Sequence, residues 1–167
     1  MKKTLIYLVI LLPLIFISCA DKPIYEGSIA FPNASWQRIE QGKDIEFDNI
    51  NIKNIKDAYD INVSLTHKPT INVDNISFVL RIVSPSGMKK ETIHTIELKD
   101  RDKVKFIGSD LGEIIEIKEP IKQYAMFSEK GEYKMIISNY SEKYEVLGLE
   151  KIGLEIVKSN LDYQIDK

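Results

Sequence analysis

From Tyr59 to Leu65 every second residue is apolar: Tyr59, Ile61, Val63 and Leu65 are separated by Asp60, Asn62 and Ser64. Such alternation turns one side of an extended strand into a core and the other into water. The same period recurs through the chain, and no window sustains an amphipathic helical period over three turns. Ile45 and Phe47 alternate with Glu46 and Asp48, but Ile50 and Ile52 continue on the opposite parity. A one-residue slip reverses the buried face unless an extra residue is absorbed, so a bulge is predicted near Asp48-Asn49. Between Asn75 and Val83, the residues Ile76, Phe78, Leu80 and Ile82 share one face. This strand is expected to be central. Ser84-Pro85-Ser86-Gly87 supplies turn chemistry, and residues 91–99 are expected to return as the second arm of a hairpin. Ile93, Thr95, Ile96 and Leu98 are its packed side chains in this reading, with His94 facing solvent.

Ile115 with Ile117, then Tyr133 with Met135 and Ile137, then Ile152 with Leu154 and Ile156 repeat the pattern. Pro120 marks its stretch as an edge or a strand start. About eight to ten short strands separated by turns predict an all-β protein, an antiparallel sandwich of jelly-roll-like form.

The first residues obey a different rule. Lys2 and Lys3 precede an apolar run from Leu5 to Ile17, broken only by Pro13. That run is shorter than the ~20 residues a spanning helix needs, and it reads as an export signal. Phe16-Ile17-Ser18-Cys19 ends on the chain's one cysteine. The four residues are similar to a bacterial lipobox, in which the cysteine thiol receives a diacylglycerol and the chain is cut before it. Phe16 stands where leucine is usual. Cys19 is thus the expected lipidation site. A single acyl chain anchors only marginally, whereas two or three hold a protein at a bilayer. Ala20 favours the outer membrane, by resemblance to enteric lipoproteins. The expected divisions are a signal peptide over 1–18, an anchor and short tether over 19–28, a sandwich over 29–158 and a polar tail over 159–167.

Removal of the leader leaves roughly 150 residues, enough for one core. It also makes the formal net charge of −2 two units more negative, since Lys2 and Lys3 leave with it. No concentrated basic run exists, which argues against a nucleic-acid partner. Lipidation of Cys19 would leave no thiol for a disulfide or a thiolate metal site.

Catalytic patterns are sparse. His67 and His94 show no metal-ligand spacing and are expected at the surface. The serine-rich turn at Ser84–Gly87 lacks the form of a nucleophile elbow. Glu113 and Glu116 read as the solvated face of a strand, although carboxylate pairs of glycosidase type are not visible in sequence. Asp44, Glu46, Asp48 and Asp60 lack calcium-loop spacing. Gly108–Gly112 is no phosphate loop, having neither the lysine nor the helix. No cofactor, metal, catalytic residue or small-molecule substrate is expected. Aromatic side chains remain: Trp36 with Tyr25, Phe31, Tyr124, Tyr133 and Tyr140 would either line a sugar- or protein-binding face or fill the core. Trp36, Phe31 and Asn33 are the candidates for contact with a partner.

One series of elements points to a family. After the lipobox come Phe31-Pro32-Asn33-Ala34-Ser35-Trp36, a strand with Phe47, the Ser84–Gly87 turn and Gly131-Glu132-Tyr133. Leu147-Gly148-Leu149 and Ile152-Gly153-Leu154-Glu155-Ile156 close it. The order resembles the GldH-type gliding-motility lipoproteins of the Bacteroidetes. The long isoleucine- and lysine-rich stretches depart from that pattern. The resemblance implies an accessory envelope lipoprotein that works beside other envelope lipoproteins or motility proteins, with no catalytic residues to carry over. Family members also occur in bacteria that do not glide. A surface glycan-binding module is the alternative expectation.

Overall fold

The computed structural model describes residues 22–38, 44–100, 102 and 105–159. Alternating residues become eleven strands: β1 (Tyr25–Ala30), β2 (Ser35–Gln37), β3 (Ile45–Ile52), β4 (Tyr59–His67), β5 (Asn75–Val83), β6 (Lys89–Glu97), β7 (Ser109–Asp110), β8 (Ile115–Ala125), β9 (Gly131–Asn139), β10 (Glu145–Leu147) and β11 (Leu149–Lys158). One turn of 3-10 helix, Pro32–Ala34, precedes β2. Strand pairing begins at Tyr25, inside the stretch expected as tether, because β1 matches β11 from Tyr25↔Ile156 to Ala30↔Lys151.

Every pairing is antiparallel. Sheet I has the order β1-β11-β4-β8-β7, and sheet II the order β3-β9-β5-β6. Their inner faces share one core. Ile61, Val63 and Leu65 from sheet I and Phe78, Leu80, Met135 and Ile137 from sheet II belong to the same buried cluster. Aromatic rings tie the sheets together: Tyr25 meets Phe47 edge-on at 6.4 Å, and Phe127 sits between Tyr59 at 5.5 Å and Tyr133 at 4.8 Å. The two-stranded ribbon β10-β2 covers one end of the sandwich.

The phase slip behaves as predicted. The β3–β9 register shifts between Phe47 and Ile50, and Asn49 takes φ 62. Ile45, Phe47, Ile50 and Ile52 are therefore all buried. The hairpin β5-β6 is also as expected, closed by Gly87 N–H donating to the Ser84 carbonyl at 2.9 Å. Pro120 lies within β8 at a register break opposite Asn62. The outer neighbour β7 pairs only Glu116 and Ile115, so the missing N–H falls on an edge that asks for no donor.

Two expectations are corrected. His94, placed toward solvent in sequence, faces inward half-buried and stacks on Phe78 at 5.8 Å, while Ile93 is 60 % exposed. The register decides this: His94 pairs with buried Phe78, and side chains directly opposite share a face. His67, expected at the surface, is fully buried. It continues the inner parity of Val63 and Leu65, and the Phe106 ring covers it at 5.1 Å.

Asn49 tests the bulge. A β-branched side chain in this left-handed conformation is strained by about 1–2 kcal/mol, so Asn49→Val should lower the unfolding temperature. Asn49→Gly should leave it unchanged or raise it slightly, both read by thermal unfolding.

Candidate functional site

The covered end of the sandwich is the most elaborated part of the described surface. Pro32 sets the 3-10 turn, and Asn33 (φ 65) and Ala34 (φ 48) reverse the chain in left-handed conformations. Asparagine tolerates this region better than most residues. The reversal throws Trp36 inward, where it is 1 % exposed. Phe31 lies half-buried against it, ring centroids 5.7 Å apart.

Backbone bonds fix the turn. Phe31 N–H donates to the Glu150 carbonyl at 2.7 Å, and Gly148 N–H to the Ala34 carbonyl at 2.7 Å. At Gly148 (φ +95) an added Cβ would come within 2.8 Å of Ile71 Cα, so both conformation and space require glycine. Asn139 Nδ2 donates to the Trp36 carbonyl at 2.9 Å, and its Oδ1 accepts from Ser141 N–H at 2.9 Å. Asn72 holds the other strand of the ribbon: Nδ2 donates to the Glu145 carbonyl at 3.2 Å and Oδ1 accepts from Leu147 N–H at 3.0 Å. Glu145 in turn accepts from Ser35 Oγ and Gln37 Nε2 across the ribbon.

Of the three sequence candidates, only Asn33 is exposed outright. Trp36 does not present its ring to a partner; it fills the core beneath the turn, the second of the two readings its sequence allowed. Leu147 and Tyr144, which sequence did not offer as contact residues, and Tyr140, one of the aromatics it did, are each about half exposed (47 %, 50 % and 53 %). Leu147 pairs with Ser35, so it shares the ribbon with the turn. Tyr144 accepts Arg38 N–H through its carbonyl at 2.8 Å. The result is a rigid end bearing Asn33, Tyr144 and Leu147 over a buried tryptophan. Cys19, the lipidation candidate, lies outside the described residues.

The catalytic candidates do not converge. Asp44 faces Arg81, Glu46 and Asp48 share Lys134, and Asp60 accepts from Tyr124 N–H and Ser159 Oγ. Glu116 faces Lys151. Among the described residues no group of three or more His, Cys, Asp or Glu side chains is placed to hold a metal. A hollow of ≈ 490 Å³ on the outer face of sheet I takes in Ser64, Thr66, Glu116, Lys118 and Lys151. Both of its lysines are matched within the protein, Lys118 with Glu155 at 2.6 Å and Lys151 with Glu116 at 3.9 Å. No helix among the described residues is long and apolar enough to cross a membrane.

These features define an antiparallel β-sandwich with one end built into a rigid, exposed platform. The sequence model of the GldH lipoprotein family matches residues 23–156, and the chain belongs to that family. A search of curated proteins returns no match.

Two predictions follow from the buried polar atoms. Trp36→Ala should destabilise the fold by about 3–5 kcal/mol in denaturant unfolding. Trp36→Phe should cost much less, because the indole Nε1 has no hydrogen-bond partner to lose among the described residues. His67 gives a pH dependence. Its Nδ1–H donates to the Lys68 carbonyl at 2.9 Å, so the neutral ring leaves a bare, unpartnered Nε2 in the core. Burial holds its pKa below the ordinary 6.5; the Lys68 bond opposes this and the charge of Lys99 adds to it. The unfolded chain therefore takes up a proton first, and stability should fall as pH drops below 6.5 toward the folded value. Urea midpoints at mildly acidic and neutral pH should differ, and His67→Gln should shrink the difference.

Proposed function

We propose that this member of the family is a lipid-anchored component of the cell envelope that acts by binding another protein rather than by catalysis. Cys19 carries the lipid, at the outer membrane, and the far end of the sandwich carries the contact. The partner class is another envelope lipoprotein or a component of the gliding or envelope assembly that the family resemblance implies.

The observation that supports this most is the contrast in how polar groups are used. Asp44, Glu46, Asp48, Asp60 and Glu116 sit in separate structural pairs, whereas backbone and amide bonds converge on the Phe31–Trp36 turn to hold an exposed surface still. Rigid display lowers the ordering cost of binding. Burial of Trp36 removes the central ring of the glycan-binding alternative, and Tyr140 and Tyr144 stand in a connection rather than along a sheet face.

Capture from native membranes tests the reading. The tagged, acylated protein should retain the same envelope proteins in Ile93→Arg, altered on a sheet face, and lose them at least tenfold in Leu147→Arg or Leu147→Glu, with unfolding temperatures unchanged. Equal capture by all of these variants would contradict it. Cys19→Ala should abolish incorporation of labelled fatty acid in the native host; undiminished incorporation would remove the anchor.

A further inference from the structure

The opposite end of the sandwich, where β1 begins and the β5-β6 turn lies, has a different surface. Met126 is 72 % exposed, Met88 60 % and Tyr124 53 %. The two methionines border a groove of ≈ 350 Å³ with Ile82, Phe127, Lys89 and Lys90. Exposed apolar groups gathered beside cations are unusual on a surface that contacts only water.

The charges there are also unusual. Several lysines on the rest of the described surface meet carboxylates: Lys68 with Glu150, Lys99 with Asp74, Lys118 with Glu155, and Lys134 with Glu46 and Asp48. Lys89, Lys90, Lys122 and Lys130 have no such partner among the described residues. Lys122 is half-buried and lies against Lys90; burial, then the charge of Lys90, holds its ammonium below the usual lysine range. Two acidic groups at the same end are engaged internally, while Glu26 and Glu132 are exposed there. Glu129 accepts from the Ser84 and Ser86 hydroxyls and the Ser86 N–H, and Asp57 meets Lys158 at 3.0 Å. Exposed Lys89, Lys90 and Lys130, with half-buried Lys122, outnumber Glu26 and Glu132, so positive charge is in excess at this end.

Chain length says what this end faces. Ile24 N–H already pairs with the Ile156 carbonyl at 2.8 Å, so the tether leaves the body here. Cys19 is five residues earlier in the sequence, a reach of at most ~18 Å. The opposite end lies a further β4 length away, ~30 Å. An acyl group on Cys19 therefore brings this end, and not the other, to the headgroups.

We propose that this end is a membrane-docking face. Met88, Met126 and Tyr124 enter the boundary between headgroups and acyl chains of the bilayer that holds Cys19, and Lys89, Lys90, Lys122 and Lys130 meet anionic headgroups. Methionine adapts to an irregular apolar surface, tyrosine suits a wet–apolar boundary, and lysine stems lie along apolar surface with the ammonium in the polar layer. The inference rests on the lipid-anchor reading above, and it orients the body with Asn33 and Leu147 away from the membrane.

Depth-dependent fluorescence quenching tests it. Acylation of Cys19 blocks the native thiol, so Met126→Cys or, as a control, Leu147→Cys offers one labelling site on the full acylated chain. The labelled protein is reconstituted in phosphatidylcholine vesicles containing brominated lipid, with or without phosphatidylglycerol. The label at 126 should be quenched several-fold more than that at 147. Phosphatidylglycerol should increase the difference, and the double change Lys89→Glu, Lys90→Glu should reduce it. Vesicle-bound protein with equal, weak quenching at both positions overturns the docking face while leaving the anchor intact. Protein that is not acylated and does not stay with the vesicles overturns the anchor and this proposal together.

Discussion

The burial of alternating side chains between two sheets is the constraint on which everything else depends. Ile61, Val63 and Leu65 face the same core as Phe78, Leu80, Met135 and Ile137. Each such side chain contributes about 1.5–3 kcal/mol when taken out of water. A chain with one cysteine has no intramolecular disulfide to add to this. Every strand must therefore keep its parity, and where β3 loses it, Asn49 absorbs the slip in a left-handed conformation. Close packing of backbones follows the same logic. Gly153, on the outer face of β11, leaves room for Ser64; an added Cβ would meet Ser64 Oγ at 2.3 Å.

A sandwich held in this way has two ends that are not equivalent. At one, the chain enters through β1 and exposed methionines sit among lysines without carboxylate partners. At the other, Asn139, Asn72 and Gly148 fix a turn above Trp36. Antiparallel strands run each sheet from one end to the other, so the two ends hold fixed positions on one body. Under the proposed reading, such a body would hold the turn end at a set height above the bilayer.

Long strands were legible in sequence because a period of two over seven or more residues has one physical reading. The bulge in β3 and the β4 core face came from that pattern, and the β5-β6 turn from the proline and glycine of Ser84–Gly87. His94 was misplaced because β6 carries isoleucine on both parities, Ile93 and Ile96; only the register with Phe78 decides which faces in. His67 was misplaced because its cover, Phe106, arrives from a connection that looks merely charged. At the candidate site, Trp36 announced a buried or binding ring. Tyr144 gave no signal, and Leu147 figured only as part of a bend, since β2 and β10 are three residues each, too short to show which side chains face out. Asn72 and Asn139 act through single amide bonds that no local pattern encodes.

The central claim is that the turn end of this lipoprotein meets a protein. Photo-crosslinking in living cells of the native host measures it most directly, with a benzophenone side chain placed singly at positions 33, 144 and 147 and at position 93 on the sheet face. The account predicts discrete protein adducts from the first three positions and none from position 93. Adducts from position 93 with none from the turn end would contradict it.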